Sequence, residues 1–289
     1  MRQITSLAGA TILTANELRT IIVTGASSGI GAHCARALKA DGWRVFATAR
    51  KESDLAALEA DGIESFYLDY REPKSIEALV AAVLERTGGR LDALYNNGAY
   101  AQAGAVEDLT VDALREQFEA NFFGWHDLTR RVIPVMRAQG HGRLVHCSSI
   151  LGLMPAGLRG AYCASKYAVE GLMLSARQEL AGSGIHVSLI EPGPVASSIH
   201  KNGMTWFLKN VDYGNSVHRA GYRAQLEGLR AAPSKRRANP EVVYQALRHA
   251  LVSRSPRPHY VVTVPARIGI LLKRLLPAPL LYRLLARTT

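Results

Sequence analysis

Three side chains that could carry proton chemistry stand close together in this chain. Ser149 is followed by Tyr162 after 13 positions and by Lys166 after four more. On a helix, Tyr162 and Lys166 are i and i+4 and share a face. A free tyrosine titrates at about pH 10 and is a poor acid–base catalyst near neutrality. Bringing its pKa to about 7 takes roughly 4 kcal/mol of extra stabilisation of the phenolate. One ammonium about 4 Å away supplies an energy of that order at an effective dielectric of about 20. Ser149 could hold a substrate oxygen by hydrogen bond while charge develops on it. Taken alone, a Tyr–Lys pair at this spacing is also an ordinary surface contact. Cys163, beside Tyr162, reads as a small core residue rather than a nucleophile.

A second station lies near the start of the chain. Thr24-Gly25-Ala26-Ser27-Ser28-Gly29-Ile30-Gly31 falls between an apolar run and a helical pattern. Its spacing is G-x-x-x-G-x-G rather than G-x-G-x-x-G. Glycines let a backbone turn sharply and approach a pyrophosphate, which then rests on the helix N-terminus. Gly25, Ser27, Ser28, Gly29, Ile30 and Gly31 are therefore candidate phosphate-loop residues, although turns need glycine in any case. The second apolar run ends Thr48-Ala49-Arg50-Lys51. An acidic residue there would bond the ribose 2′-hydroxyl of NAD, whereas an arginine accommodates the 2′-phosphate of NADP. Arg50 thus favours NADP(H) over NAD(H), unless Arg50 and Lys51 merely open a solvated loop.

These stations need a scaffold, and the sequence pattern supplies one. Short apolar runs at 20–24, 44–49, 64–68, 91–95, 143–146, 186–190 and 259–264 read as strands. Amphipathic segments at 31–40, 74–86, 110–137 and 161–180 read as helices between them. Such alternation predicts an α/β fold, a single-domain doubly wound parallel sheet of Rossmann-like type. The catalytic domain is expected over residues 19–265. A leader over 1–18, mildly apolar at 4–15, precedes it as a ragged segment or a weak signal peptide. Cys34, Cys147 and Cys163 form no disulfide or metal pattern and read as free thiols of a reducing compartment, with no metal site.

Charge is distributed unevenly over the 289 residues. Positions 200–289 hold 16 Lys/Arg and three Asp/Glu, a net +13, within a total of +11. Residues 194–239 break the strand–helix rhythm and read as a substrate lid. Its Met204, Trp206, Phe207 and Leu208 either face an apolar substrate or form the inward stripe of a lid helix. The Lys235-Arg236-Arg237 run reads as a solvated loop. Residues 266–289 form a basic amphipathic extension, with Ile268, Leu271, Leu272 and Leu275 on one stripe. That stripe could lie on an anionic membrane, on its own domain or on a second subunit. No apolar run reaches the roughly 18–20 residues that cross a bilayer. No nucleic-acid motif accompanies the charge. The chain is expected to be cytoplasmic, with membrane association open.

Together the stations resemble the short-chain dehydrogenase/reductase family over residues 19–264. They run in order through Thr24-Gly25…Gly29-Ile30-Gly31, Asp69, Asn96-Asn97, Asn121, Ser149, Tyr162-Cys-Ala-Ser-Lys166 and Pro192-Gly193-Pro194-Val195. The resemblance implies that Asp69 meets the adenine and Asn97 the adenosine ribose. It implies that Lys166 bridges the nicotinamide ribose and that Asn121 holds a water that relays protons to Lys166. Asn121 could equally be a helix-kinking residue with a bonded side chain. Pro192, Gly193 and Val195 would pack beside the nicotinamide, with Tyr162 as the acid–base residue. A homodimer or homotetramer is implied as well. One departure is Asn96-Asn97-Gly98-Ala99, where the family has Ala-Gly after its Asn pair. A Cβ at position 99 would clash if that backbone needed a positive φ.

The tail and lid are similar to those of retinol and 17β-hydroxysteroid dehydrogenase-like members and aldehyde reductases. The expected activity is hydride transfer between NADP(H) and a small hydrophobic carbonyl or alcohol, in either direction. The competing reading is a non-catalytic NADP-binding redox sensor or scaffold, which would not need Asn121, Ser149, Tyr162 and Lys166 together.

Overall fold

All seven runs form strands, most of them apolar on both faces and so buried between two helical layers. They are β1 (Thr20–Val23), β2 (Arg44–Ala49), β3 (Glu64–Tyr67), β4 (Ala93–Asn96), β5 (Gly142–Cys147), β6 (Ile185–Pro192) and β7 (His259–Val262). In this computed structural model, which describes residues 19–230 and 237–286, they form one sheet in the order β3-β2-β1-β4-β5-β6-β7. Every pairing is parallel. The expected leader and Lys235 and Arg236 lie outside the described residues. All four residues of β1 and of β4 are buried.

The helices are α1 (Gly29–Ala40), α2 (Glu52–Ala60), α3 (Pro73–Thr87), α4 (Val111–Phe118), α5 (Gly124–Gln139) and α6 (Gly160–Glu179). They continue with α7 (Ile199–Asn210), α8 (Arg219–Arg230), α9 (Glu241–Val252), α10 (Val264–Leu275) and α11 (Ala278–Ala286). Strand order reverses at β1, whose neighbours are β2 and β4. A parallel sheet opens a crevice at the carboxyl ends of such a pair, and ligands bind there.

Two expectations change. The single helix read over 110–137 is α4 and α5 joined by a π-turn, Glu119–Phe123, with Asn121 buried in it. Wide turns of this kind recur at functional sites. In the lid, Phe207 does not face a substrate but packs with Ala103, Ala105, Val211 and Tyr222 in a small core of its own. Trp206 stacks on Tyr100 with centroids 4.5 Å apart, and Met204 packs against the same small core. Leu208 is exposed. Phe207 and Met204 therefore hold the lid together, Trp206 pins it to Tyr100, and none of the four lines the cavity.

The extension forms α10 and α11. Ile268, Leu271 and Leu275 are 52%, 55% and 70% exposed, so this stripe does not dock on its own domain. Instead α10 is anchored elsewhere: Ala266 is buried, Gly269 approaches the Met154 sulfur, and Lys273 Nζ donates to the Leu153 carbonyl. Among the described residues no helix is long and apolar enough to cross a membrane.

Candidate active site

The tips of β1 and β4 are tied together by polar side chains. Thr24 Oγ1 accepts the Asn97 and Gly98 amides at 2.8 and 3.1 Å. Asn97 Nδ2 donates to the Thr24 and Gly25 carbonyls at 3.1 and 3.3 Å. The Tyr70 hydroxyl lies 2.7 Å from both Thr24 Oγ1 and Asn96 Oδ1. Asn97 thus clamps the glycine loop with its side-chain amide, and Tyr70 is a tie that the sequence motifs did not point to.

The loop itself is built for close approach. Gly25 has φ +65°, and a Cβ there would stand 2.4 Å from the Gly98 Cα. A Cβ on Gly31 would stand 2.2 Å from the Gly25 carbonyl oxygen. Position 98 is therefore glycine for proximity, and Ala99, which has no positive φ, fits without strain. The departure from the family pattern carries no backbone strain. Ser28 caps α1 without a side-chain bond. The first amides of α1 therefore remain open to an anion. This cradle fits a dinucleotide pyrophosphate.

A cavity of about 350 Å³ runs from this loop to the chemical residues. Ser28, Gly29, Ile30, Asn97, Pro192, Gly193 and Val195 line it together with Ser149, Tyr162 and Lys166. Most of the cofactor stations are thereby joined to all three chemical ones. Gly25 and Gly31 do not line it, and exposed Ser27 lines a shallow depression beside α1. Arg50, 54% exposed, stands past the end of β2 with Nη1 3.9 Å from Asp69 Oδ2. Asp69 is engaged by Arg71, whose Nε donates to Oδ1 at 3.0 Å. Burial alone would raise the Asp69 pKa, but the Arg71 bonds and the Arg50 charge hold it below the usual carboxylate range.

At the chemical end, β5 delivers Ser149 and the first turn of α6 delivers Tyr162. The Ser149 hydroxyl accepts the Leu151 amide at 3.1 Å, and Ser149 and Tyr162 share the cavity wall. Burial pushes the Tyr162 phenol well above its ordinary pKa, and the nearby Ser149 hydroxyl and the Arg159 charge only partly offset this. Lys166 shares the helix face as expected, but its ammonium stands 5.8 Å from the Tyr162 ring centroid and makes no hydrogen bond to the hydroxyl. It donates to the Cys147 carbonyl at 2.8 Å and sits 4.1 Å over the Trp125 ring. Burial lowers the Lys166 pKa to about 8, against the raising influence of Cys147 and Glu170. Spacing therefore identified the pair but overstated the Coulomb effect of one member on the other. The desolvation of a fully buried phenol dominates.

Asn121 uses its side chain on the main chain of Tyr100, accepting at 3.2 Å and donating at 2.9 Å. It reaches the Ser165 hydroxyl at 3.4 Å and does not contact Lys166. Trp125, His146 and Glu170, which surround Lys166, carry no signal in sequence beyond apolar or mixed context. Glu170, Glu191 and His259 place one ligand-type atom each within 4.8 Å of one another. His259 Nδ1 lies 2.6 Å from Glu191 Oε1 in that group.

His146 is neutral, its pKa pushed down to about 3 by burial first and by the Lys166 charge second. In the unfolded chain the same ring titrates at about 6.5. Its stabilising effect is thus complete above about pH 6.5 and is lost as pH falls toward about 3. His146→Gln should flatten the stability-against-pH curve across that window in urea titrations. An unchanged slope would show that the ring is not buried neutral.

Fold and site together define a dinucleotide-binding enzyme scaffold. Residues 19–206 match the short-chain dehydrogenase family, and the chain belongs to it. It is 36% identical to the uncharacterized oxidoreductase YbbO of Escherichia coli K12, over 92% of this chain and 94% of that one. It is 30% identical to an NADPH-dependent 3-dehydrocapnine reductase of Ornithobacterium rhinotracheale, covering 85% and 88%. A short-chain dehydrogenase structure from Streptomyces avermitilis matches with a TM-score of 0.73 and 32% identity, covering 89% of this chain and 93% of that one. The chain is thus an oxidoreductase on a fold that binds a nicotinamide cofactor.

Proposed function

We propose that this protein is an NADP(H)-dependent reductase of hydrophobic aldehydes or ketones, with Tyr162 as its general acid. The observation that carries this reading is the placement of Ser149, Tyr162 and Lys166 together on the wall of a cavity that ends at the open N-terminus of α1. The α1 amides and the Gly25–Gly31 loop would hold the pyrophosphate, and Tyr162 and Lys166 the nicotinamide ribose. Pro192, Gly193 and Val195 would flank the nicotinamide. When bound, the cofactor supplies the hydride that reaches the carbonyl carbon.

The residues supply the rest. A phenol kept protonated by burial is the form that donates to a carbonyl oxygen. Ser149 holds that oxygen as it gains negative charge. Lys166, fully withdrawn from solvent, adds positive potential beneath the site. Asn121 fixes the Tyr100 segment that borders the cavity. Ile30, Ile150, Leu151 and Ile199 give the cavity an apolar lining, which supports a hydrophobic substrate body.

The cofactor preference rests on Arg50. Arg71 is committed to Asp69, whereas Arg50 stands half in solvent with a loose contact and can meet a 2′-phosphate. The related reductase of Ornithobacterium rhinotracheale is NADPH-dependent by name, which supports the same choice. Arg50→Ala should weaken NADPH binding by about tenfold or more, the worth of a charged hydrogen bond. NADH binding should barely change. Equal losses for the two cofactors would remove the NADP assignment.

A further inference from the structure

Arg159 stands three residues before Tyr162, as the N-terminal cap of α6, and lines the catalytic cavity beside Tyr162, Ser149, Leu151 and Asn202. A guanidinium stays charged in proteins and carries five donors. Withdrawing such a group from water is costly unless a partner takes its place. Arg44, Arg131, Arg143 and Arg177, half-buried like it, each bond a carboxylate or a main-chain carbonyl. Arg159 is different. Among the described residues its guanidinium has no ion pair and no hydrogen-bond partner, and the titratable groups that face it are Tyr162 and Cys163.

The backbone holds this arrangement against its own preference. Leu158, immediately before Arg159, has φ +56°, one of two non-glycine residues described with a positive value. A leucine adopts that conformation only where its surroundings enforce it. Here the Gly104 amide donates to the Leu158 carbonyl at 2.9 Å, and the Leu158 side chain packs against the lid core. The kink sends residue 158 into the lid and residue 159 toward the cavity.

We infer that Arg159 is an anion-binding subsite for the substrate, so that the carbonyl compound carries an oxyanion group, a carboxylate or a phosphate, on an apolar body. The guanidinium fork matches either group through two parallel hydrogen bonds. The inference rests on the reductase reading above, in which cofactor phosphates occupy the α1 end of the cavity and Arg50. Arg159 lies at the Tyr162 end and is left for the substrate. This narrows an apolar carbonyl to an amphiphilic one.

The test compares a straight-chain oxo acid, its methyl ester and the oxoalkyl phosphate of equal length, all reduced with NADPH by the full-length chain. The wild-type protein should favour the acid or the phosphate over the ester in kcat/KM by about tenfold or more. Arg159→Leu should bring that ratio to about one, and Arg159→Lys should restore part of it. The anion with the larger ratio identifies the group. A wild-type ratio near one for both anions overturns the subsite. So does an Arg159→Leu variant in which ester and anions fall alike with an altered pH profile, which would mean that Arg159 serves only Tyr162. A binding measurement separates this inference from the reductase reading. The saturated fatty acid of equal length should raise the Tm of NADP-loaded wild-type protein and leave that of Arg159→Leu unmoved. That result without any carbonyl turnover would sink the reductase reading and keep the subsite. No turnover and no Tm shift in either protein would sink both.

Discussion

Tyr162→Phe should lower carbonyl turnover by about 10²–10⁴-fold, the usual worth of a positioned general acid, while NADPH affinity stays nearly unchanged. Phenylalanine keeps the ring that packs in the first turn of α6 and removes only the hydroxyl. In the proposed reaction that hydroxyl is the proton source, since Lys166 is turned to the Cys147 carbonyl. Ser149 already accepts the Leu151 amide and has no comparable acidity. Steady-state NADPH oxidation would give the loss, and NADPH fluorescence titration the retained affinity. Turnover kept within about tenfold of wild type would remove Tyr162 from the acid role.

Gly25→Ala should abolish tight NADPH binding. Its φ of +65° costs an L-residue about 1–2 kcal/mol. The larger effect is steric. The new Cβ would stand 2.4 Å from the Gly98 Cα, and backbone on both sides must move. The loop that meets the pyrophosphate is displaced as a result, and a shift of about 1 Å can cost about 100-fold. Gly42→Ala is the control, with φ +82° and nothing within 4 Å of the added carbon. It should carry the backbone cost in thermal unfolding and leave NADPH affinity intact. Similar NADPH affinities for the two variants would contradict the close-approach account of Gly25.

Much of this was legible in sequence, and the limits have physical causes. Strands packed between helices mostly announce themselves as apolar runs, so all seven were readable, with ends displaced by at most two residues. Most station residues were readable because they sit at strand ends or helix starts, whereas Asn121 lies in the turn between α4 and α5. Periodicity reports that one face of a helix is apolar but not what that face meets. Phe207 was thus readable as substrate-facing or as the lid's inward stripe, and Ile268, Leu271 and Leu275 as a stripe with three candidate surfaces, but the pattern could not choose. The π-turn around Asn121 was invisible, because one inserted residue leaves the helical pattern on either side intact. The Tyr162–Lys166 pair shows the same boundary in energy. Its Coulomb term follows from spacing, whereas burial, which decides the phenol's state here, depends on elements far away in the chain. Arg159 belongs to no motif, and its significance appears only once its missing partner can be seen.

Hydride transfer itself is tested most directly with NADPH deuterated at the hydride-donating carbon of the nicotinamide. Incubated with the chain and a lipophilic oxo compound, it should place deuterium on the carbinol carbon of the product. Tyr162→Phe should yield almost none in the same time. Product without deuterium, or no product from wild-type protein across lipophilic and anionic carbonyls while NADPH remains bound, would contradict the reductase and leave a cofactor-binding module.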